Sequence, residues 1–141
     1  MSVRFFLDTN VLVYSFDARE PRKAKLAREL IEKAMSQGSG IISTQVVQEF
    51  LNLALTKFQK PLAIPDCRNY LRMVLLPLCQ VFPDPDLYDL SLEIRGRSGF
   101  SFYDCLIFAA AHRGRCDVLY TEDLQDGYRF RGVKVVNPFT A

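Results

Sequence analysis

Short apolar runs that each stop at a polar side chain or a turn, separated by longer segments of helical period, constrain this chain more than any other feature. Arg4 to Leu7 stops at Asp8, Gly40 to Ile42 at Ser43, Leu78 to Phe82 at the turn Pro83-Asp84-Pro85-Asp86, and Val118 to Tyr120 at Thr121; a fifth run spans Val133 to Val136. Runs this brief and this apolar suit strands buried on both faces, and strands alternating with helices build βαβ units. The expected fold is α/β in three layers, with a four- to five-stranded, mostly parallel sheet flanked by helices.

The intervening segments carry their own start and stop signals. A short helical turn runs through Val11 to Phe16. From Pro21 to Gln37, Leu26, Leu30, Ile31, Ala34 and Met35 recur at helical spacing, Pro21 suits the first turn, and Gly38 and Gly40 close the helix. Ser43 is placed to cap a helix through Val46, Val47, Phe50, Leu51 and Ala54. Pro61 and Pro65 bracket a connector, and Asp66 can start a helix carrying Tyr70, Met73 and Val74. A helix opened by the Pro83–Asp86 turn reaches about Ser98, and Ser101 to His112 forms another of high apolar content. There is no internal repeat and no low-complexity tract.

A length of 141 residues with 49% hydrophobic content points to a single domain spanning 1–141. The longest uninterrupted apolar run, Cys105 to Ala111, is far short of the roughly 20 residues that cross a bilayer, so no membrane association is expected. Asp8 and Asn10 interrupt the N-terminal apolar stretch, which argues against a secretory or transit segment. Cys67, Cys79, Cys105 and Cys116 include no closely spaced pair and point to a reducing cytoplasm. The net charge of +2 does not by itself imply a polyanionic partner. Cations cluster in Arg19, Arg22, Lys23, Lys25 and Arg28 and again in Arg95, Arg97, Arg113 and Arg115, where a solvated helix face is the plain alternative.

Right-handed crossovers bring the C-terminal ends of parallel strands to the edge where ligands bind, and four acids map there. Asp8 ends the first strand, Glu49 lies in the second turn of the helix after the second strand, Asp104 heads the helix before the fourth strand, and Asp123 follows that strand. Each also has a local explanation. Asp8 can cap a short helix, Ser101 and Asp104 approximate a capping box, Glu49 lies at the margin of an apolar face, and Asp123 is a turn acid whose place Glu122 or Asp126 can take. Together they are harder to explain locally, because two carboxylates about 4 Å apart repel by on the order of 4 kcal/mol at an effective dielectric of about 20. A cation relieves that repulsion. An all-oxygen set suits Mg²⁺ or Mn²⁺, whereas zinc recruits His or Cys, and His112 lies at the far end of its helix.

In order and spacing, Asp8-Thr9-Asn10-Val11-Leu12-Val13-Tyr14, Glu49, Ser101-Phe102-Tyr103-Asp104 ahead of the apolar run, and Tyr120-Thr121-Glu122-Asp123 resemble the four motifs of PIN-domain nucleases. In size and pattern the chain is similar to the single-domain VapC-type toxins of bacterial toxin–antitoxin pairs. The resemblance implies a Rossmann-like sheet and an Mg²⁺- or Mn²⁺-dependent endoribonuclease leaving a 5′-phosphate and a 3′-hydroxyl. It implies Asp8, Glu49, Asp104 and Asp123 as catalytic acids and metal ligands, with Asn10 and Thr121 in support. Many relatives carry Asn where this chain has Glu122, so Glu122, Asp123 or Asp126 completes the shell. RNA as substrate, a VapB-type antitoxin and a homodimer are the implied partners, with apolar patches on the early helices available for the interfaces.

Other functions fit less well. A phosphotransfer enzyme of the haloacid-dehalogenase or receiver type also uses an aspartate after an early strand, but no second acid stands two positions after Asp8 and no lysine accompanies the later acids. A non-catalytic RNA-binding module calls for cations facing phosphates, not a concentrated negative pocket. No G-x-G-x-x-G turn or G-x-x-x-x-G-K loop supports a nucleotide-binding site, and Gly38-Ser39-Gly40 reads as a helix stop.

Overall fold

The structure is a computed structural model that describes residues 3–140. Residues 1, 2 and 141, part of the span expected for the domain, lie outside the described residues. Among the described residues six strands form one sheet: β1 (Phe5–Leu7), β2 (Gly40–Ser43), β3 (Cys79–Val81), β4 (Val118–Tyr120), β5 (Arg129–Phe130) and β6 (Val133–Val136). Their order is β3-β2-β1-β4-β6-β5, every pairing parallel except β5 with β6. The helices are α1 (Thr9–Tyr14), α2 (Pro21–Gln37), α3 (Thr44–Thr56), α4 (Ile64–Tyr70), α5 (Leu76–Leu78), α6 (Pro85–Ser98) and α7 (Phe102–Arg113). Among the described residues, no helix is long and apolar enough to cross a membrane.

The apolar strand runs are explained by their surroundings. β1 is central, with Phe6 paired to Ile41 on one side and Leu119 on the other, and Phe5, Phe6 and Leu7 are all buried. Helices cover both faces, so neither set of alternating side chains meets water. On α7 the whole run Cys105 to Ala111 is buried, which is why that helix reads as apolar all round. Gly38 ends α2 in the left-handed conformation (φ 66°). Gly40 lets α2 approach the sheet, since a Cβ there would stand 2.3 Å from the Ala34 Cβ and 2.6 Å from Phe5 Cε2.

Three features differ from the sequence-based expectation. First, there is a sixth strand: β5 is two residues long and turns back antiparallel on β6. Second, the helix expected from Asp66 begins at Ile64 with Pro65 in its first turn, passes through a π-helical stretch at Leu71–Leu75, and continues to Leu78. The Leu76 N–H donates to the Leu71 carbonyl five residues back. Pro77 supplies the reason, having no N–H to bond the carbonyl four residues earlier and a ring that crowds it. Third, Ser43 occupies the position before α3 but makes no capping bond, and its hydroxyl is buried without a partner.

The sheet order fixes where a site can form. From β1 the chain builds outward through β2 and β3, then returns to place β4 on the other side of β1. Loops after β1 and β4 therefore diverge above adjacent strands, leaving a crevice at the carboxyl ends.

Candidate active site

Asp8 stands at that crevice because β1 ends there: its N–H donates to the Tyr120 carbonyl (3.0 Å), the last bond of the β1–β4 ladder. The next residue opens α1, and Asp8 Oδ1 caps it by accepting from the Thr9 N–H at 2.7 Å. Asp8 is thus a helix cap and a cleft residue at once. Oδ2 accepts from the Thr121 hydroxyl (2.8 Å) and from Asn10 Nδ2 (3.4 Å). With only 4% of its surface exposed, the Asp8 carboxyl is pushed up to about 7 from its ordinary 3.8. Burial is the main cause; bonds from Thr121 and Thr9 oppose it, and the charges of Asp123 and Glu49 add to it.

The other three acids arrive on separate elements. Glu49 is half-buried on α3, where Oε1 accepts from the Thr9 hydroxyl (2.7 Å) and Oε2 from Gln45 Nε2 (3.4 Å), one helical turn earlier. Asp104 enters on the first turn of α7, with its N–H bonded to Ser101 Oγ (3.2 Å). It is half-buried, and the fully enclosed stretch begins one residue later at Cys105. Burial raises the Asp104 carboxyl above its usual range, the Ser101 contact opposes the rise, and the Asp123 charge adds to it. Asp123 is exposed on the turn after β4 and accepts from Asn10 Nδ2 at 3.1 Å.

These acids line one cleft of about 560 Å³, together with Thr9, Asn10, Asn52 and apolar Val13, Leu53 and Ile107. Two polar side chains, Asn10 on the cleft wall and Thr121 beneath it, act as couplers. Thr121, completely buried, donates to Asp8 and accepts from Asn10 Nδ2 and the Asp123 N–H, both at 3.0 Å. Asn10 ties Asp8, Thr121 and Asp123 through one amide, and its Oδ1 accepts from the Glu122 N–H (3.4 Å).

The three alternatives for the last acid separate in space. Glu122 lines the cleft, but its carboxylate is held by the Tyr14 hydroxyl and by Lys23 Nζ at 3.0 Å. Asp126 is not among the cleft residues, and its Oδ1 accepts from the Asn137 N–H (2.8 Å). Asp123 is the acid of this turn that faces Asp8 and Asp104. Thr9, Gln45, Tyr14 and Lys23 were not among the residues expected from sequence. The spacing of Gln45 four residues before Glu49 on one helix offers a signal for that pair, and the Thr9 hydroxyl follows directly from its place in Asp8-Thr9-Asn10. Nothing local links Tyr14 or Lys23 to a residue a hundred positions away.

Among the described residues, no three His, Cys, Asp or Glu side chains close in as a ready metal cage. The carboxylates instead turn toward the hydroxyls and amides just described. The donor set still fits a hard divalent cation: it is all oxygen, it comes from four elements facing one space, and its deepest member is hard to ionise beside like charges.

No curated protein sequence matches the chain. Solved structures do. A chain of a toxin-antitoxin complex from Klebsiella pneumoniae superposes with a TM-score of 0.70 at 23% identity, covering 96% of this chain and 98% of that one. FitAcB from Neisseria gonorrhoeae gives 0.68 at 20% identity, covering 97% and 99%. VapC20 from Mycobacterium tuberculosis, described as a sarcin-ricin loop cleaving toxin, gives 0.59 at 21% identity, covering 84% and 89%. At these identities the likeness establishes the fold. The sequence match is more specific, because the PIN domain model aligns with residues 5–131, from the first strand through β5, and so includes all four acids. On that match, and on the sheet and acids it spans, this chain belongs to the PIN domain family.

Proposed function

We propose that this protein is a divalent-metal-dependent endoribonuclease, taking Mg²⁺ or Mn²⁺, and that it serves as the toxin of a toxin–antitoxin pair. The observation that carries this reading is the meeting of Asp8, Glu49, Asp104 and Asp123, from four separate elements, in one cleft at the sheet's switch point. Asp8 and Asp104 would hold the cation directly, and Glu49 and Asp123 directly or through water. When bound, the cation would supply an electrophile for a phosphate oxygen and lower the pKa of a coordinated water.

The remaining work belongs to the chain itself. Thr121, Thr9 and Asn10 fix the carboxylates so that they need not reorganise as charge develops. Glu49 and Asp123 are available to orient the attacking water and accept its proton, and Val13, Leu53 and Ile107 limit bulk water on the apolar wall. Cleavage breaks the bond between phosphorus and the 3′ oxygen, leaving a 5′-phosphate and a 3′-hydroxyl.

An antitoxin and a second copy of the chain are the proposed partners. Several solved relatives are toxin-antitoxin assemblies, and Met35 and Leu55, with Tyr88, Leu92 and Tyr103, leave large apolar side chains at the surface. The unpaired thiols of Cys67, Cys79, Cys105 and Cys116 support a cytoplasmic setting. The test is cleavage of total RNA with Mg²⁺, Mn²⁺ or chelator, comparing the native protein with Asp104→Asn and mapping fragment ends. Metal-dependent cleavage lost in the variant is expected; cleavage undiminished by Asp104→Asn would sink the mechanism.

A further inference from the structure

The cleft poses an electrostatic problem for the substrate just proposed. Asp8, Asp17, Glu49, Asp104, Glu122 and Asp123 line it, and among the described residues no lysine or arginine does. A polyanion gains most of its affinity from cations facing its phosphates, so an RNA strand must be held from somewhere else. The basic clusters conspicuous in the sequence are largely engaged within the molecule. Arg19 pairs with Asp17, Arg22 bonds the Phe139 carbonyl, Lys23 pairs with Glu122, Arg28 bonds the Ser15 carbonyl, Arg95 bonds the Gly99 carbonyl, and Arg113 pairs with Asp84.

A second pocket, of about 350 Å³, adjoins the cleft and shares Val13, Asp17 and Leu53 with it. Its character is different. Phe16, Phe58 and Leu62 make an apolar floor, while Lys57 and Lys60 stand at its rim, exposed and with no side-chain hydrogen bond or ion pair among the described residues. The loop that carries the lysines is held in place. Lys57 N–H donates to the Leu53 carbonyl (2.8 Å), Leu62 N–H returns to the Ala54 carbonyl (2.9 Å), and the Phe58 ring packs on Phe16 and Phe50 with centroids 5.6 and 5.8 Å away. The cations are thus presented on a fixed frame, beside aromatic surface on which a base can lie.

We propose that this pocket is the landing site for the single-stranded RNA flanking the scissile phosphate: Lys57 and Lys60 hold backbone phosphates, and a base packs on Phe16 and Phe58. Charge complementarity of Lys57 and Lys60 to a phosphate backbone, and continuity of the pocket with the cleft across Val13 and Leu53, carry the assignment. The inference rests on the ribonuclease reading above and names positioning residues for it. It commits to RNA as the occupant, not to a protein segment.

The test uses the full chain and a short fluorescent single-stranded RNA, with binding measured in chelator across a salt series and cleavage measured with Mn²⁺. Lys57→Ala/Lys60→Ala is expected to weaken binding roughly tenfold at low salt and to make the slope of log affinity against log salt shallower by about 1.4, at ~0.7 per contact. KM should rise in parallel with kcat within about twofold, the melting temperature should hold, and Lys57→Arg/Lys60→Arg should restore binding. Unchanged affinity and slope in the alanine variant would overturn the proposal, as would a native protein that binds no RNA. A loss of affinity that tracks a lower melting temperature would overturn it too, since Lys57 at the end of α3 also complements the helix dipole. A variant altered only in self-association would assign the groove to a second copy instead. Lysine-dependent binding without cleavage would remove the ribonuclease reading while leaving the landing site standing.

Discussion

The two ends of α7 handle charge in opposite ways. At its N-terminal end, Asp104 joins acids of one sign around a cleft, one of them buried and hard to ionise. At its C-terminal end, His112, Arg113, Arg115 and Arg131 surround a depression of about 490 Å³, but two of the three arginines are matched by acids: Arg113 bonds Asp84 (2.8 Å) and Arg131 bonds Glu93 (2.8 Å), all part-exposed. Surface pairs of this kind contribute little to stability and oppose it little. Like charges gathered under burial oppose folding outright. A chain that keeps the second arrangement at one end of a helix and the first at the other singles out the acid-lined end as its candidate site.

The largest expected effect would break this comparison if it failed. Asp104→Asn should lower metal-dependent RNA cleavage by about a hundredfold or more, whereas Arg115→Ala at the other end should change it by less than about twofold. Similar losses at both ends, in one cleavage assay, would erase the distinction.

The next concerns what the cleft does to stability. With Asp8 titrating at about 7 in the fold and at its ordinary 3.8 when unfolded, the folded state retains a proton between about pH 4 and 7 that the unfolded chain has released. Stability of the metal-free protein should therefore fall as pH rises through that window, by at most about 4 kcal/mol. Asp8→Asn should flatten the dependence in chelator and remove most of the thermal stabilisation that Mn²⁺ gives the native protein. Urea unfolding at pH 5 and pH 8 reads the first effect and melting curves the second. Thr121→Val, which strips the hydroxyl from Asp8, Asn10 and the Asp123 N–H, should cost about 1–3 kcal/mol and lower cleavage about tenfold or more.

Smaller effects sharpen the far end. Arg113 holds the Asp84 carboxyl down to about 2, helped by the Leu87 N–H. The stability from that pairing is complete above the ordinary carboxylate pKa and is lost as pH falls through about 2, so Asp84→Asn should differ from the native protein at pH 4 and converge with it near pH 1. Arg115 adopts a left-handed backbone (φ 59°), as does Arg131 (φ 50°). Arg115→Gly should stabilise by about 0.5 kcal/mol, the strain relieved exceeding the entropy that glycine adds to the unfolded chain.

What was legible in the sequence depended on how locally each feature is determined. β1, α2 and α7 announce themselves because burial on both faces or on one stripe writes a period into consecutive residues. β5 has no such pattern: Arg129 and Phe130 become a strand only because β6 offers them an edge. The π-helical stretch follows from Pro77, a residue visible in the sequence whose effect on the hydrogen bonding of the preceding turn depends on the helix continuing through it. In the cleft, motif spacing put all four acids on the carboxyl side of the sheet, since Asp8 and Asp123 follow strands and Glu49 and Asp104 lie in the first two turns of helices. The Tyr14–Lys23–Glu122 contact was not legible, because it joins α1, α2 and the β4 turn and depends on how they dock. That contact also bears on the last acid, because it engages the Glu122 carboxylate with a hydroxyl and a cation.

The two-residue β5 has a further consequence for assembly. A parallel sheet with open margins invites another chain to add a strand, the route by which sheet proteins polymerise. Here one margin is β3, three residues long, and the other is β5, shorter still and running against its neighbours. Neither offers a template of useful length, so the sheet margins give little opening for strand addition by another chain.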